Sequence, residues 1–277
     1  MGIPHKNQEN RGAAYSFQKA IENCHGDMIM FCDQDDIWLN TKVEKFESAF
    51  KKNSKASFII SDAQIINSNG VFLDYTLWKQ RKFTKKWQKK FEKKLQFKVF
   101  FKRNVFTGMT TAIKSNLVSF KQPNKDPILH DAWYIPVSLL VGQHGILINK
   151  PLTLYRQHEN QLFGAKKINI YNKPTYIRKT HLTSLKKQIK TLKRLYEYTK
   201  SLNNENIILL KRKINHLESR LVIVNTGKFK RVNKVIWELF NGNYNNFSSI
   251  TLSQGLHNTI HYEFIEKQKD GITFVSE

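Results

Sequence analysis

Asp33-Gln34-Asp35-Asp36-Ile37-Trp38 sets three carboxylates within four positions, directly after the apolar run Met28-Ile29-Met30-Phe31-Cys32. Like charges this close raise one another's pKa, and a divalent cation removes the conflict. Mg²⁺ or Mn²⁺ takes hard oxygen ligands and typically binds one or two carboxylates together with substrate phosphates. In open α/β sheets, ligands collect beyond the carboxyl ends of strands, which is where this run lies if Met28–Cys32 is a strand. The plainer alternative is an acidic turn that ends a strand and caps the next helix. The apolar strand before the cluster and Asp-Ile-Trp at its end favour the chemical reading.

The elements that must position this cluster alternate. Ala13, Ala14, Phe17, Ala20, Ile21 and Cys24 recur at helical steps, with Gly26 as terminator. Met28–Cys32 reads as a strand buried on both faces of a parallel sheet. Thr41-Lys42-Val43-Glu44 has the form of a capping box opening a helix that buries Val43, Phe46 and Phe50. Ser57-Phe58-Ile59-Ile60 reads as a second strand, and Asn69-Gly70 as a tight turn. Helix, strand, helix, strand is the order of an α/β fold.

Two later stretches are strongly cationic. Residues 79–103 hold twelve Lys and Arg against the single acid Glu92, and Phe83, Trp87, Phe91 and Leu95 step through them by four. That predicts an amphipathic helix whose aromatic stripe either packs on the domain or lies on anionic lipid. From Lys166 to Glu238 there are nineteen cations and four acids. Within that stretch, Leu182–Lys200 and Ile207–Val224 predict a helical hairpin broken at Asn203-Asn204-Glu205-Asn206.

The chain resembles glycosyltransferase family 2, in its rhamnosyltransferase-like branch, through motifs that occur in the family's order over residues 10 to about 165. They are Asn10-x-Gly12, Gly26-Asp27, the Asp33–Trp38 run, Ser61-Asp62-Ala63, Asn69-Gly70, Asn104-x-x-Thr107-Gly108, His130-Asp131-Ala132-Trp133, Gly145, and Pro151-Leu152-x-x-Tyr155-Arg156-x-His158. The resemblance implies a GT-A (Rossmann-like) α/β fold, a mixed sheet flanked by helices, over residues 1–165. The 79–103 stretch is a basic amphipathic insertion in it, and residues 166–277 form a basic helical C-terminal region. It implies metal-dependent, inverting transfer of a sugar from a nucleotide diphosphate sugar, dTDP-rhamnose or a UDP-sugar, to a saccharide or lipid-linked acceptor in surface polysaccharide synthesis.

The same resemblance implies the site. Asp35 holds the Mn²⁺ or Mg²⁺, Asp33 faces the metal or the donor ribose, and His158 reaches the metal or diphosphate, with a structural histidine as the alternative. Asn10, Gln34 and Asp36 serve the donor, and proximity in sequence to His158 adds Arg156 or a neighbouring lysine. Asp131 is the general base, and a helix N-terminal cap is its alternative or concurrent role. Gly108 lets the backbone approach a sugar, unless it is a plain turn. Trp133 stacks on the acceptor or packs, and packing is expected for Trp38. In the family a strand, a helix and a second strand that bind the base precede the Asn-x-Gly block. Only nine residues precede Asn10 here, so an N-terminally truncated core is expected.

Composition narrows the remaining classes. The 277 residues are 40% hydrophobic with a net charge of +24, which requires a polyanionic partner. Two cysteines exclude a disulfide-dense scaffold and a four-cysteine zinc site. Without an apolar run of about 20 residues or a signal-peptide opening, a cytoplasmic protein is expected, peripheral on the inner membrane face where its basic helices meet anionic lipid. The rival readings are an inactive transferase-like protein and a basic nucleic-acid- or membrane-binding protein. The chain has no recognised nucleic-acid motif, so no specific nucleic acid is expected.

Overall fold

A computed structural model of the chain describes residues 9–93, 95–102, 105–122, 127–158, 174–224 and 228–247. Asn104 of the Asn-x-x-Thr-Gly block, Leu162 to Lys173 and residues 248–277 lie outside them. The chain divides into two compact units, Met1–Ala165 and Lys166–Glu277.

The first unit carries the sheet. Helix α1 (Ala13–Glu22) leads to strand β1 (Met28–Met30), the acidic turn, strand β2 (Ile37–Trp38) and helix α2 (Lys42–Lys52). Strands β3 (Phe58–Ile66) and β4 (Phe72–Thr76) form a hairpin around the Asn69-Gly70 turn. There Gly70 takes the left-handed φ of 81° and the Asn67 carboxamide accepts the amides of Asn69 and Val71. Helices α3 (Leu77–Gln80), α4 (Lys85–Glu92) and α5 (Gln96–Lys102), strand β5 (Thr111–Lys114), helix α6 (Tyr134–Leu140) and strand β6 (Gly145–Arg156) complete it.

The sheet order is β1-β5-β3-β6-β2, with β4 beside β3. It is a mixed sheet flanked by helices, of the GT-A kind. Among the described residues, only β3 and β6 run parallel. Strand β3 is buried almost throughout because α2 covers one face, where Phe46, Ile59, Ala112 and Leu152 meet, while Ala63, Ile65, Leu77 and Met109 form a second cluster. Fully burying each of these large side chains contributes roughly 1.5–3 kcal/mol.

Three local expectations are corrected. Strand β1 is an edge strand, antiparallel to β5, and only its central Ile29 is fully buried. An apolar run of five residues does not distinguish a central strand from a half-covered edge. At α2, Thr41 makes no capping bond, because its backbone has already turned (ψ 1°), and Val43 is 48% exposed. The buried stripe is instead Lys42 and Phe46, four residues apart. The 83–95 helix breaks in two at Lys93, and Gln96 at the start of α5 is buried, its carboxamide bonding both the N–H and the C=O of Gly145. Phe83 and Phe91 are buried, Phe91 edge-on to Phe58. Half of that stripe therefore packs on the domain, while Trp87 is half-buried and Leu95 is 38% exposed.

In the second unit, α7 (Pro174–Thr199) and α8 (Glu205–Val224) form the expected hairpin, joined by α9 (Lys228–Phe240) and α10 (Asn243–Phe247). Its interior contains a polar cluster: His216 Nδ1 meets Glu238 Oε2 at 2.5 Å and Asn243 donates to the same oxygen at 2.9 Å. No helix among the described residues is long and apolar enough to cross a membrane.

Candidate active site

The acidic turn is built by its neighbours. Strand β1 delivers Asp33, and the tight turn is closed by the Asp36 amide on the Asp33 carbonyl (3.4 Å). Strand β2 pairs Ile37 and Trp38 with Leu154 and Thr153 of β6. The pairing brings the end of β6 under the carboxylates. Arg156 donates its backbone N–H to Asp36 Oδ1 (3.0 Å), its Nε to the Asp35 carbonyl (3.0 Å) and an Nη to the Ser68 carbonyl (3.0 Å). Two residues on, His158 Nε2 lies 3.0 Å from Asp35 Oδ2. Arg156 was expected to serve the donor. Its guanidinium fastens the acidic turn to the β3–β4 hairpin.

Burial and mutual repulsion set the charge state of this turn. Asp36 is pushed up to about 7, chiefly by burial, then by the charges of Asp33 and Asp35, against the Arg156 amide bond. Its Oδ2 is buried and has no hydrogen-bond partner among the described residues. Asp33 is raised by burial and then by Asp35. The Tyr155 hydroxyl is pushed up to about 12 by burial and then by Asp36. Burial, more than mutual repulsion, raises all three, and Lys42 and Arg156 are the cations beside them.

Asp131 faces the same field. It sits in the 3-10 turn His130–Ala132 ahead of α6, and its carboxylate accepts the backbone amides of Ala132 and Gly108. Burial pushes it up to about 6, and the charge of Asp33 adds to the rise. Asp131 is not the N-cap of α6, a position held by Trp133. The amides that it caps belong to its own turn and to Gly108.

Gly108 and Trp133 both lie inside the fold. Gly108 is buried, and a Cβ there would lie 2.2 Å from His130 Nε2, so the missing side chain makes room for the imidazole. Trp133 is completely buried, its indole donating to the Phe120 carbonyl at 2.7 Å. It has no free face for an acceptor, because α6 is covered on every side. Asn10 is exposed and accepts the Gly12 amide at 3.1 Å; no hydrogen bond ties it to the acidic turn among the described residues. Gln34 is exposed at the crest of the turn.

Lys42 was missed as a site residue. Fully buried, its ammonium donates to the Met109 carbonyl (2.6 Å) and to Thr153 Oγ1 (2.9 Å) and lies 4.1 Å over the Trp38 ring. Burial pushes it down to about 8, against the pull of Cys32, Asp36 and Asp33. Its spacing of four from Phe46 was the available signal.

Among the described residues, no three His, Cys, Asp or Glu side chains converge as a complete metal cage. The pair Asp35 and His158, with oxygen and nitrogen donors meeting at 3.0 Å beside two raised carboxyls, fits a cation that takes its other ligands from a substrate phosphate and water.

Comparison with known proteins gives a family match over part of the chain and two relatives. Residues 5–119 match the family model described as glycosyl transferase family 2. The chain is 32% identical over 179 residues to a dTDP-rhamnosyl transferase of Shigella flexneri, covering 60% of this chain and 55% of the relative. It is 37% identical over 65 residues to a UDP-Glc:alpha-D-GlcNAc-diphosphoundecaprenol beta-1,3-glucosyltransferase of Escherichia coli, covering 24% of this chain and 25% of that one. The chain thus spans about half the length of the first relative and a quarter of the second.

Proposed function

From a chain that is glycosyltransferase family 2-like over residues 5–119, we propose metal-dependent, inverting transfer of a sugar from a nucleotide diphosphate sugar to an acceptor hydroxyl. The observation that carries this reading is the 3.0 Å approach of His158 to Asp35 in the turn that also holds Asp33, whose charge reaches the half-buried carboxyl of Asp131. The names of the relatives motivate dTDP-rhamnose as the first donor to test and a saccharide or lipid-linked acceptor.

Asp35 and His158 would hold the Mn²⁺ or Mg²⁺, with Asp33 and Asp36 beside them. Such an ion offsets the charge that grows on a departing diphosphate. Asp131 takes the proton from the acceptor hydroxyl as that oxygen attacks the anomeric carbon. A carboxyl near pKa 6 is basic enough for that work at neutral pH and is ionised there. Arg156 and Lys42 keep the acids in register. The test is transfer by the full chain with Mn²⁺ and a panel of dTDP- and UDP-sugars. Asp131→Asn should cut turnover by about a thousandfold or more, the scale of losing a general base, while nucleotide binding persists. Retained turnover removes Asp131 as the base.

Peripheral attachment to the cytoplasmic face of a membrane belongs to the same proposal. Helix α9 turns Ile236, Trp237 and Phe240 outward at 43%, 61% and 87% exposure, in a unit whose cations far outnumber its acids. Large apolar side chains on a cationic helical unit suit an anionic lipid surface. Vesicles containing anionic lipid should float the protein, less so after Trp237→Ala with Phe240→Ala, and no flotation ends that part of the reading.

A further inference from the structure

We infer that Lys42 is a positioning residue that locks the acidic turn to the segment carrying Asp131. The inference rests on the transfer reading above for its kinetic consequence and on geometry alone for its structural one. The Lys42 ammonium reaches three parts of the site at once. Its bond to the Met109 carbonyl (2.6 Å) holds the 3-10 turn Gly108–Thr110, whose first residue donates its amide to Asp131. Its bond to Thr153 Oγ1 (2.9 Å) holds β6, which three residues later delivers Arg156 to Asp35 and Asp36. Its contact with the Trp38 ring (4.1 Å) holds β2, two residues after Asp36. The chain supplies these parts from positions 38, 109 and 153, and one buried cation joins them.

The burial argues for a purpose beyond packing. Taking an ammonium out of water is costly, and Met109 and Thr153 do not need it, because Thr153 Oγ1 already donates to the Met109 carbonyl at 3.1 Å. A methionine at position 42 would fill the same space and leave both groups paired. What a cation adds there, and a methionine lacks, is an attraction toward Asp33 and Asp36.

The test compares Lys42→Met with the native chain by peptide-resolved hydrogen exchange and by kinetics. Exchange should rise at least tenfold in residues 33–38 and 105–111 and stay unchanged in α7 and α8. Turnover should fall at least tenfold with the donor KM changed less than threefold. Thr153→Val, which removes one acceptor, should move the same peptides by a smaller factor, and it serves if Lys42→Met does not fold. Unchanged exchange in 33–38 and 105–111, or a uniform rise across the first unit, overturns the inference. Local loosening in a chain whose native form transfers no sugar upholds the positioning role and refutes the transfer reading instead.

Discussion

Replacing Gly108 by alanine should be among the most damaging single-methyl changes in the first unit. The added Cβ would stand 2.2 Å from His130 Nε2, 3.0 Å from its Cε1 and 3.3 Å from its Cδ2. Ordinary contact begins near 3.4 Å, so ring or backbone must retreat by about 1.2 Å in a closely packed interior. The ring has nowhere to go. It is 4% exposed and wedged between Phe17 and Phe31, each with its centroid 4.1 Å away. Overpacking of this kind costs about 1–3 kcal/mol, and for a unit of this size each kcal/mol lowers Tm by about 2–4 °C. The expected loss is therefore about 2–12 °C. Because the Gly108 amide is one of those holding the Asp131 carboxylate, transfer should weaken as well. The assay is thermal melting of Gly108→Ala, His130→Ala and the double variant. The two changes should be coupled by at least about 1 kcal/mol, the double variant being more stable than the sum of the singles implies. Additive losses, or a Gly108→Ala protein that melts with the native one, would refute the close approach.

Two other outcomes follow from the charge states and the buried pair in the second unit. The base must be unprotonated and Asp131 binds its proton below about 6, so kcat/KM should be level at neutral pH and fall about tenfold per unit below 6; a level profile down to pH 5 in the donor-saturated enzyme excludes it. In the second unit, Glu238→Ala strips the acceptor from His216 Nδ1 and from Asn243, both buried, and should cost about 3 kcal/mol. The amides of α8 should then exchange far faster, and unchanged protection there would show that the cluster contributes little.

Much of the site was legible because chemistry and spacing coincide there. Three acids after an apolar strand is a local pattern, and it led directly to the turn that now carries Asp33, Asp35 and Asp36. His158 and Asp131 were legible through resemblance. Roles that depend on what lies across the sheet were not. Trp133 and an acceptor-facing tryptophan have the same local sequence, and only the closure of α6 on all sides tells them apart. Gly108 looks like any turn glycine until His130 is found in the space of its absent side chain. The bonds that Arg156 makes to the Asp35 and Ser68 carbonyls likewise became visible only in the fold.

Local composition determined the kind of elements, their order and the acidity of one turn, since helix period, turn chemistry and like-charge repulsion are short-range effects. Strand pairing decided the rest. Setting β2 against β6 brings position 36 to position 156, and it sets Thr153 of β6 against the Lys42 ammonium. Contacts between residues a hundred positions apart carry no periodic signature, so the partners of each acid became visible only when the chain was folded.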